Sequence, residues 1–224
     1  MQNSNIEVRI TADGSTTLYR KDIDETYHST HGALQEARHV FIQNGLAQFR
    51  NQTKLRILEI GFGTGLNALL TALFAMDNKI SVEYHGLEAF PLSEDIWRAV
   101  NYSDLIADHR VPDLFEQMHR MNWDELHELN EKFSLKKIHD TLQLYDAPEQ
   151  FFDLIYFDAF GPRAQEEMWH RDLLDKLFQS LKSGGVLSTY CAKGSFNRVL
   201  KSVGFEVEAL AGPPGKREMT RARK

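Results

Sequence analysis

The sequence of 224 residues carries a single cysteine, Cys191. One thiol excludes an internal disulfide framework and suits a reducing cytoplasm. No apolar run approaches the roughly 20 residues that span a bilayer, and the opening stretch MQNSNIEVRI lacks the apolar core of a secretion signal. There is no HExxH and no CxxC, and the nine histidines are dispersed, so no metal centre is expected. Internal repeats, low-complexity segments and linkers are also absent. A chain of this length can bury a sizeable core, and one domain covering 1–224 is the economical reading.

Excess positive charge is lacking as well. The net charge is −6 at neutral pH, which by itself argues against a polyanionic partner. The charge is unevenly distributed, however. Residues 191–224 hold eight Lys/Arg against three Glu, about +5, leaving about −11 for residues 1–190. The closing GKREMTRARK is therefore either a phosphate-contacting tail or a solvated strand of alternating charge.

What is present is an alternation of strand and helix signals. IEVRITADGSTTLYR reads as two short strands turning at Asp13-Gly14. Residues 33–50 carry apolar groups at helical spacing. LRILEIG (55–61) is a continuous apolar run of the kind buried on both faces of a sheet. A helical stretch follows it, and SVEYHGLEAF (81–90) reads as the next strand. Residues 93–133 are expected to form a largely helical, polar insert broken at Pro112. Three more strands are read at 134–140, 152–160 and 184–191. An amphipathic helix precedes the last of them, with Gly184-Gly185 as its stop. GFEVEAL and REMTRAR pair as a closing hairpin around AGPPGK. This order implies an α/β fold with a mostly parallel, doubly wound seven-stranded sheet whose last strand is antiparallel. An N-terminal hairpin extension covers 1–32.

The chemistry starts in LEIGFGTGLNALL (58–70), whose glycines fall at 61, 63 and 65. A P-loop is excluded, because no Gly-Lys-Ser/Thr follows. A dinucleotide fingerprint needs its third glycine at position 66, which is Leu66. The pattern Glu59-x-Gly61-x-Gly63-x-Gly65 is instead similar to that of Rossmann-like methyltransferases that use S-adenosylmethionine. Three strand-end acids support a ligand site at the carboxyl edge of the sheet. Glu88 is placed to accept from ribose hydroxyls, Asp140 from an adenine amino group, and Asp158 lies within FDAFGP. Taken singly, each acid reads better as a helix cap or a solvated loop residue. As a set they describe a cofactor site formed by Glu59, Gly61, Phe62, Gly63, Thr64, Gly65, Asn67, Glu88 and Asp140.

Further blocks narrow the class. YHSTHGALQEARHVF, GFGTGLN, LEAFPL, FDAFGPRAQEEMW, TYCAKGSFNRVLKSVGF and GKREM, spread over about residues 27–219, together resemble the tRNA 5-methylaminomethyl-2-thiouridine methyltransferase family. That family is the methyltransferase half of the bifunctional MnmC enzymes. The chain departs from the pattern at Ala159 and Gly161, which swap the usual order around Phe160, at Cys191-Ala192-Lys193, and at His28. The resemblance implies transfer of a methyl group from S-adenosylmethionine to the 5-aminomethyl group of a wobble (2-thio)uridine, with a tRNA anticodon loop as partner. Because 224 residues leave no room for the oxidase half, a separate FAD-dependent oxidase acting upstream is the implied partner. The resemblance also places Asp158 as the acid facing the amine. Phe160 and Pro162 would form the pocket wall, with Tyr27, Glu36 and Arg38 closing over it. Lys193, Lys216 and Arg217 would meet tRNA phosphates.

Methyl transfer to nitrogen requires a free lone pair aligned behind the sulfonium methyl. An aliphatic amine is mostly protonated at neutral pH, so a neighbouring carboxylate that accepts its proton is the side chain to look for. Two other functions fit the same residues: an aminopropyltransferase of the spermidine-synthase type, and a non-catalytic tRNA- or cofactor-binding module. Trp169 reads as core packing, and Glu36–Arg38 as well suits a structural helix pair.

Overall fold

A computed structural model describes residues 5–224, so the first four residues of the expected 1–32 extension lie outside the described residues. The extension begins with β1 (Ile6–Ile10) and β2 (Thr16–Arg20), an antiparallel hairpin joined by the short β3 (Glu25–Thr26) into a three-stranded sheet. The turn forms where Asp13-Gly14 was expected to place it. Gly14 has φ +83°, and Asp13 Oδ1 accepts the Ser15 backbone N–H at 3.0 Å.

The main sheet has eight strands in the order β10-β11-β9-β8-β4-β5-β7-β6. At its centre are β4 (Lys54–Ile60), β5 (Ser81–Leu87) and β8 (Phe152–Phe157), all mutually parallel where they pair. They are the sequence's apolar runs, and burial on both faces is what makes those runs continuous. Ile57 points into one core and Leu58 into the other. On one side lie α1 (Ala33–Ala37) with the π-helical turn Arg38–Gln43, α2 (Leu66–Asn78) and α5 (Val111–Arg120). The other face is covered by α6 (Arg171–Ser180) and α7 (Gly194–Val203).

The segment 93–133 departs from the expectation. It holds the one-turn helices α3 (Glu94–Trp97) and α4 (Tyr102–Leu105), then α5, and ends in a strand, β6 (Leu126–Asn130). Pro112 does not break the helix; it sits in the first turn of α5, where its missing N–H has no intrahelical partner to lose. β6 pairs antiparallel with β7 (Phe133–Ile138) and forms a sheet edge, which accounts for an eighth strand where seven were expected.

Gly184-Gly185 is not a helix stop either. α6 ends at Ser180 and β9 (Leu181–Thr189) starts at once. The glycines carry an irregularity in that strand: Phe152 pairs with Leu181, but Leu154 pairs with Val186. The closing hairpin forms as expected from β10 (Glu206–Ala211) and β11 (Glu218–Arg223), and β11 inserts antiparallel beside β9. The basic tail is thus a sheet strand. Arg221 pairs with Glu208 at 2.7 Å, and Lys224 Nζ donates to the Phe178 and Leu181 carbonyls at 2.8 Å each. Among the described residues, no helix is long and apolar enough to cross a membrane.

Candidate active site

The glycine loop joins β4 to α2 at the carboxyl edge of the sheet. Gly61, Gly63 and Gly65 have φ of +89°, +50° and +75°, conformations that side chains resist. A Cβ on Gly61 would stand 2.8 Å from the Asp158 carbonyl oxygen. The Asp158 N–H in turn donates to the Ile60 carbonyl at 3.0 Å. Loop and acid are therefore fixed to one another through backbone. Phe62 turns inward against Gly86, and the one-turn helices and α5 support the loop from behind. Tyr102 donates to Thr64 Oγ1 at 3.1 Å, while the His119 ring nitrogen lies 3.1 Å from the Thr64 carbonyl.

A cavity of about 330 Å³ opens over this loop, lined by Gly61, Gly63, Asn67, Glu88, Asp140 and Asp158 among others. The acids expected at three strand ends are brought together here. Glu88 accepts the Gly63 N–H at 2.8 Å and the Phe90 N–H at 2.9 Å; burial pushes its carboxyl above the usual range. Gly65 lies outside the lining and instead starts α2 as its left-handed N-cap. Glu59 is also outside it, wholly buried beneath. Burial first, and the neighbouring Asp158 second, push the Glu59 carboxyl well above its ordinary range.

Asn67 connects the two acids. Its Nδ2 donates to Glu59 Oε1 at 2.8 Å and to Asp158 Oδ2 at 2.9 Å. Its Oδ1 is buried at the cavity with no hydrogen-bond partner among the described residues. A methionine-type ammonium would satisfy that acceptor. The left-handed glycines, the acid at the end of β5 and this unpaired acceptor all fit S-adenosylmethionine. Asp158 itself is pushed up to about 7, by burial first and by Glu36 second, with the Asn67 bond opposing.

A second, wider cavity of about 720 Å³ adjoins the first. Tyr27, His28, Ala159 and Phe160 line both. The Tyr27 and Phe160 rings meet edge to face at 5.1 Å and form the partition between them. Trp169 is buried and donates its indole N–H to the Phe160 carbonyl at 2.9 Å, so this core residue also fixes the partition. Pro162, Glu36, Lys193, Lys216 and Arg217 line the outer cavity.

Two of the expected substrate residues are placed differently. Arg38 is exposed, lies outside both linings and begins the π-helical turn. The partner of Glu36 is Lys216, not Arg38. Lys216 points inward as well, with its ammonium 3.9 Å above the Tyr190 ring. Tyr190 and Arg20 line the cavities without having been singled out from the sequence; His28, noted there only as a departure from the family pattern, lines both, and His119 supports the loop from outside the linings. Burial lowers both histidines to about 4, so each is neutral at physiological pH.

A family profile described as S-adenosyl-L-methionine-dependent methyltransferase matches residues 105–224. The tRNA 5-methylaminomethyl-2-thiouridine biosynthesis bifunctional protein MnmC of Pseudoalteromonas atlantica is 32% identical over 238 residues, covering 95% of this chain and 32% of that protein. This chain spans about a third of the length of the curated relatives it matches. The crystal structure of MNMC2 from Aquifex aeolicus superposes with a TM-score of 0.80 at 29% identity, covering 97% of this chain and 70% of that one. A spermidine synthase from Thermotoga maritima shares the fold at a TM-score of 0.61 and 14% identity, covering 97% of this chain and 68% of that one.

Proposed function

This chain belongs to the S-adenosyl-L-methionine-dependent methyltransferase family, and on that premise we propose that it methylates the nitrogen of a 5-aminomethyl group on a tRNA wobble uridine. The observation that carries this reading is the position of Asp158. It lines the cofactor cavity beside the Tyr27–Phe160 partition, beyond which the outer cavity is edged by Lys193 and Arg217. The names of the relatives, which refer to tRNA 5-methylaminomethyl-2-thiouridine biosynthesis, support the same substrate.

When bound, S-adenosylmethionine supplies a methyl group already activated on a sulfonium. The protein's task is alignment and proton removal. Asp158, held near neutrality, binds the substrate ammonium and accepts its proton as the nitrogen lone pair is exposed. Asn67 fixes one Asp158 oxygen, leaving the other for the amine. Phe160 offers a ring face to the uracil, which must be splayed out of the anticodon loop to reach this depth. Lys193 and Arg217 take flanking phosphates, so affinity falls with salt. An FAD-dependent oxidase acting upstream, the partner that the resemblance implies, would supply the amine.

The test is transfer of labelled methyl from S-adenosylmethionine to tRNA carrying 5-aminomethyluridine. Incorporation that is lost in Asp158→Ala, with cofactor binding retained, supports the reading. Full incorporation in that variant removes Asp158 as the proton acceptor. No incorporation by the wild-type chain, alongside aminopropyl transfer from decarboxylated donor to a polyamine, would replace the tRNA assignment with the spermidine-synthase type.

A further inference from the structure

Glu36 and Lys216 are 180 residues apart and meet at the wall of the outer cavity. Glu36 is 6% exposed, on the short helix α1. Its Oε2 accepts the Ser29 N–H at 2.8 Å, and its Oε1 accepts the Lys216 ammonium. The β10–β11 turn is shaped to deliver that lysine. Gly215 has φ +83°, and a Cβ there would stand 2.0 Å from the His31 ring, so only glycine lets the turn close on the N-terminal segment. The ammonium then lies over the Tyr190 ring at 3.9 Å. The Tyr190 hydroxyl donates to the Ala159 carbonyl at 2.8 Å, next to Asp158. A lysine meant for phosphates would extend into solvent; this one is held by the Glu36 carboxylate and the Tyr190 ring of the pocket wall.

The charges around Asp158 show what this arrangement does. Behind it, burial first and Asp158 second raise the Glu59 carboxyl well above its ordinary range, which favours its neutral form. His28, from the N-terminal segment, is lowered to about 4 by burial and is neutral too. The Tyr84, Tyr102 and Tyr190 phenols are all raised by burial and keep their protons. The charges left to act on Asp158 are the Glu36 carboxylate, which opposes its ionisation, and the Lys216 ammonium, which favours it.

We propose that Lys216 is a positioning residue for the reaction: held between Glu36 and the Tyr190 ring, its ammonium compensates the Glu36 charge and so lets Asp158 ionise to receive a proton from the substrate amine. This rests on Asp158 being the proton acceptor. It assigns Lys216 to the chemistry and not to the tRNA backbone. The Glu36–Lys216 pair also joins the N-terminal segment to the C-terminal hairpin, so the charge is set only when the pocket wall is assembled.

The experiment follows Asp158 directly, by ¹³C NMR titration of carboxyl-labelled full-length protein without methyl donor or tRNA. Asp158→Asn identifies the resonance by its loss. Lys216→Met should raise the Asp158 midpoint by about one pH unit. Glu36→Gln should lower it, and the double variant should fall between the two, near wild type. Lys216→Arg should hold the wild-type midpoint. In methyl-transfer assays the rising limb of kcat should move in the same direction for each variant. Should Lys216→Met fail to fold, the downward shift in Glu36→Gln and the near-normal double variant remain decisive. An unmoved midpoint in these variants overturns the proposal. So does a Lys216→Met variant that raises only KM for tRNA and flattens its salt dependence, which would make Lys216 a phosphate contact. Because the titration needs no substrate, it stays informative if the tRNA assignment fails.

Discussion

Asn67 donates to Glu59 at 2.8 Å and to Asp158 at 2.9 Å through the same amide nitrogen. One side chain in the first turn of α2 thus links a fully buried acid to the acid at the cavity wall. The two carboxyls share a donor but differ in surroundings. Burial and the proximity of Asp158 push the Glu59 carboxyl well above its ordinary range, whereas Asp158 is pushed up to about 7 at the cavity wall. Glu59→Gln keeps an oxygen in place for the Asn67 bond, so we expect it to keep kcat for methyl transfer within about threefold of wild type. Asn67→Ala frees Asp158 from its orientation and should lower kcat by roughly 10- to 100-fold. Steady-state kinetics on the two variants, with calorimetric cofactor binding as a control, decides the matter. Equal losses in both would mean that the reaction needs the Glu59 carboxyl itself.

The pH dependence of the reaction follows from Asp158. Burial first, then the Glu36 charge, raise its carboxyl to about 7. A proton acceptor works in its ionised form, so single-turnover rates should rise as pH increases through about 7. The folding consequence has the opposite sign. The folded state retains a proton that the unfolded chain has released, so this group's contribution to stability declines as pH rises from the ordinary carboxyl value to about 7. Asp158→Asn should therefore abolish the rate step while raising the thermal midpoint at pH about 8. A variant that is both inactive and less stable at that pH would show that Asp158 is mainly structural.

How far the site was legible depended on sequence separation. The glycine loop, Glu88, Asp140 and Asp158 each close a strand, and strand ends can be read from apolar runs. The hairpins at Asp13-Gly14 and around AGPPGK announced themselves through turn chemistry. By contrast, β6 has only Leu126 and Leu129 as large apolar residues among polar ones, so an edge strand with one solvated face read as polar helix. Pro112 misled because proline ends a helix and also begins one. Glu36 lines the outer cavity, but the sequence suggested Arg38, two residues along the helix, as its partner, since nothing local points to a lysine 180 positions away. His119 looked like any dispersed histidine. Its role depends on Thr64, Trp97 and Phe115, which only the tertiary structure assembles.

Gly86, inside β5, offers a steric test of the cofactor loop. A Cβ there would stand 2.5 Å from Phe62 Cδ2, and Phe62 belongs to the glycine loop. The strand can pair without a glycine, since its φ lies outside the left-handed region. What requires Gly86 is space. Gly86→Ala should displace the Phe62 ring and the loop with it, costing about 1–3 kcal/mol in folding stability as overpacking does. It should also weaken S-adenosylmethionine binding by roughly tenfold or more, measured by calorimetry. Wild-type affinity in a folded Gly86→Ala protein would show that the loop tolerates movement of Phe62.

His119 gives the segment 93–133 a role that can be measured. Its ring stacks on Trp97 at 4.7 Å, meets Phe115 at 4.6 Å and contacts the Thr64 carbonyl at 3.1 Å, bracing the cofactor loop from α5. Burial lowers its pKa to about 4, so the folded protein holds it neutral, while the unfolded chain protonates it near pH 6.5. The unfolded state therefore binds the extra proton as pH falls between these values, and stability is lost over that window. The loss from this group approaches ~3 kcal/mol at the lower end. His28 is lowered to about 4 as well and contributes a similar loss. His119→Gln keeps a donor for Thr64 but cannot titrate, so it should reduce the acid-side slope of unfolding free energy by about half of the two-histidine effect. Urea unfolding at several pH values from about 6.5 to about 4.5 supplies the slope. An unchanged slope would mean that His119 is protonated within the fold, with its Thr64 contact surviving as a charged hydrogen bond.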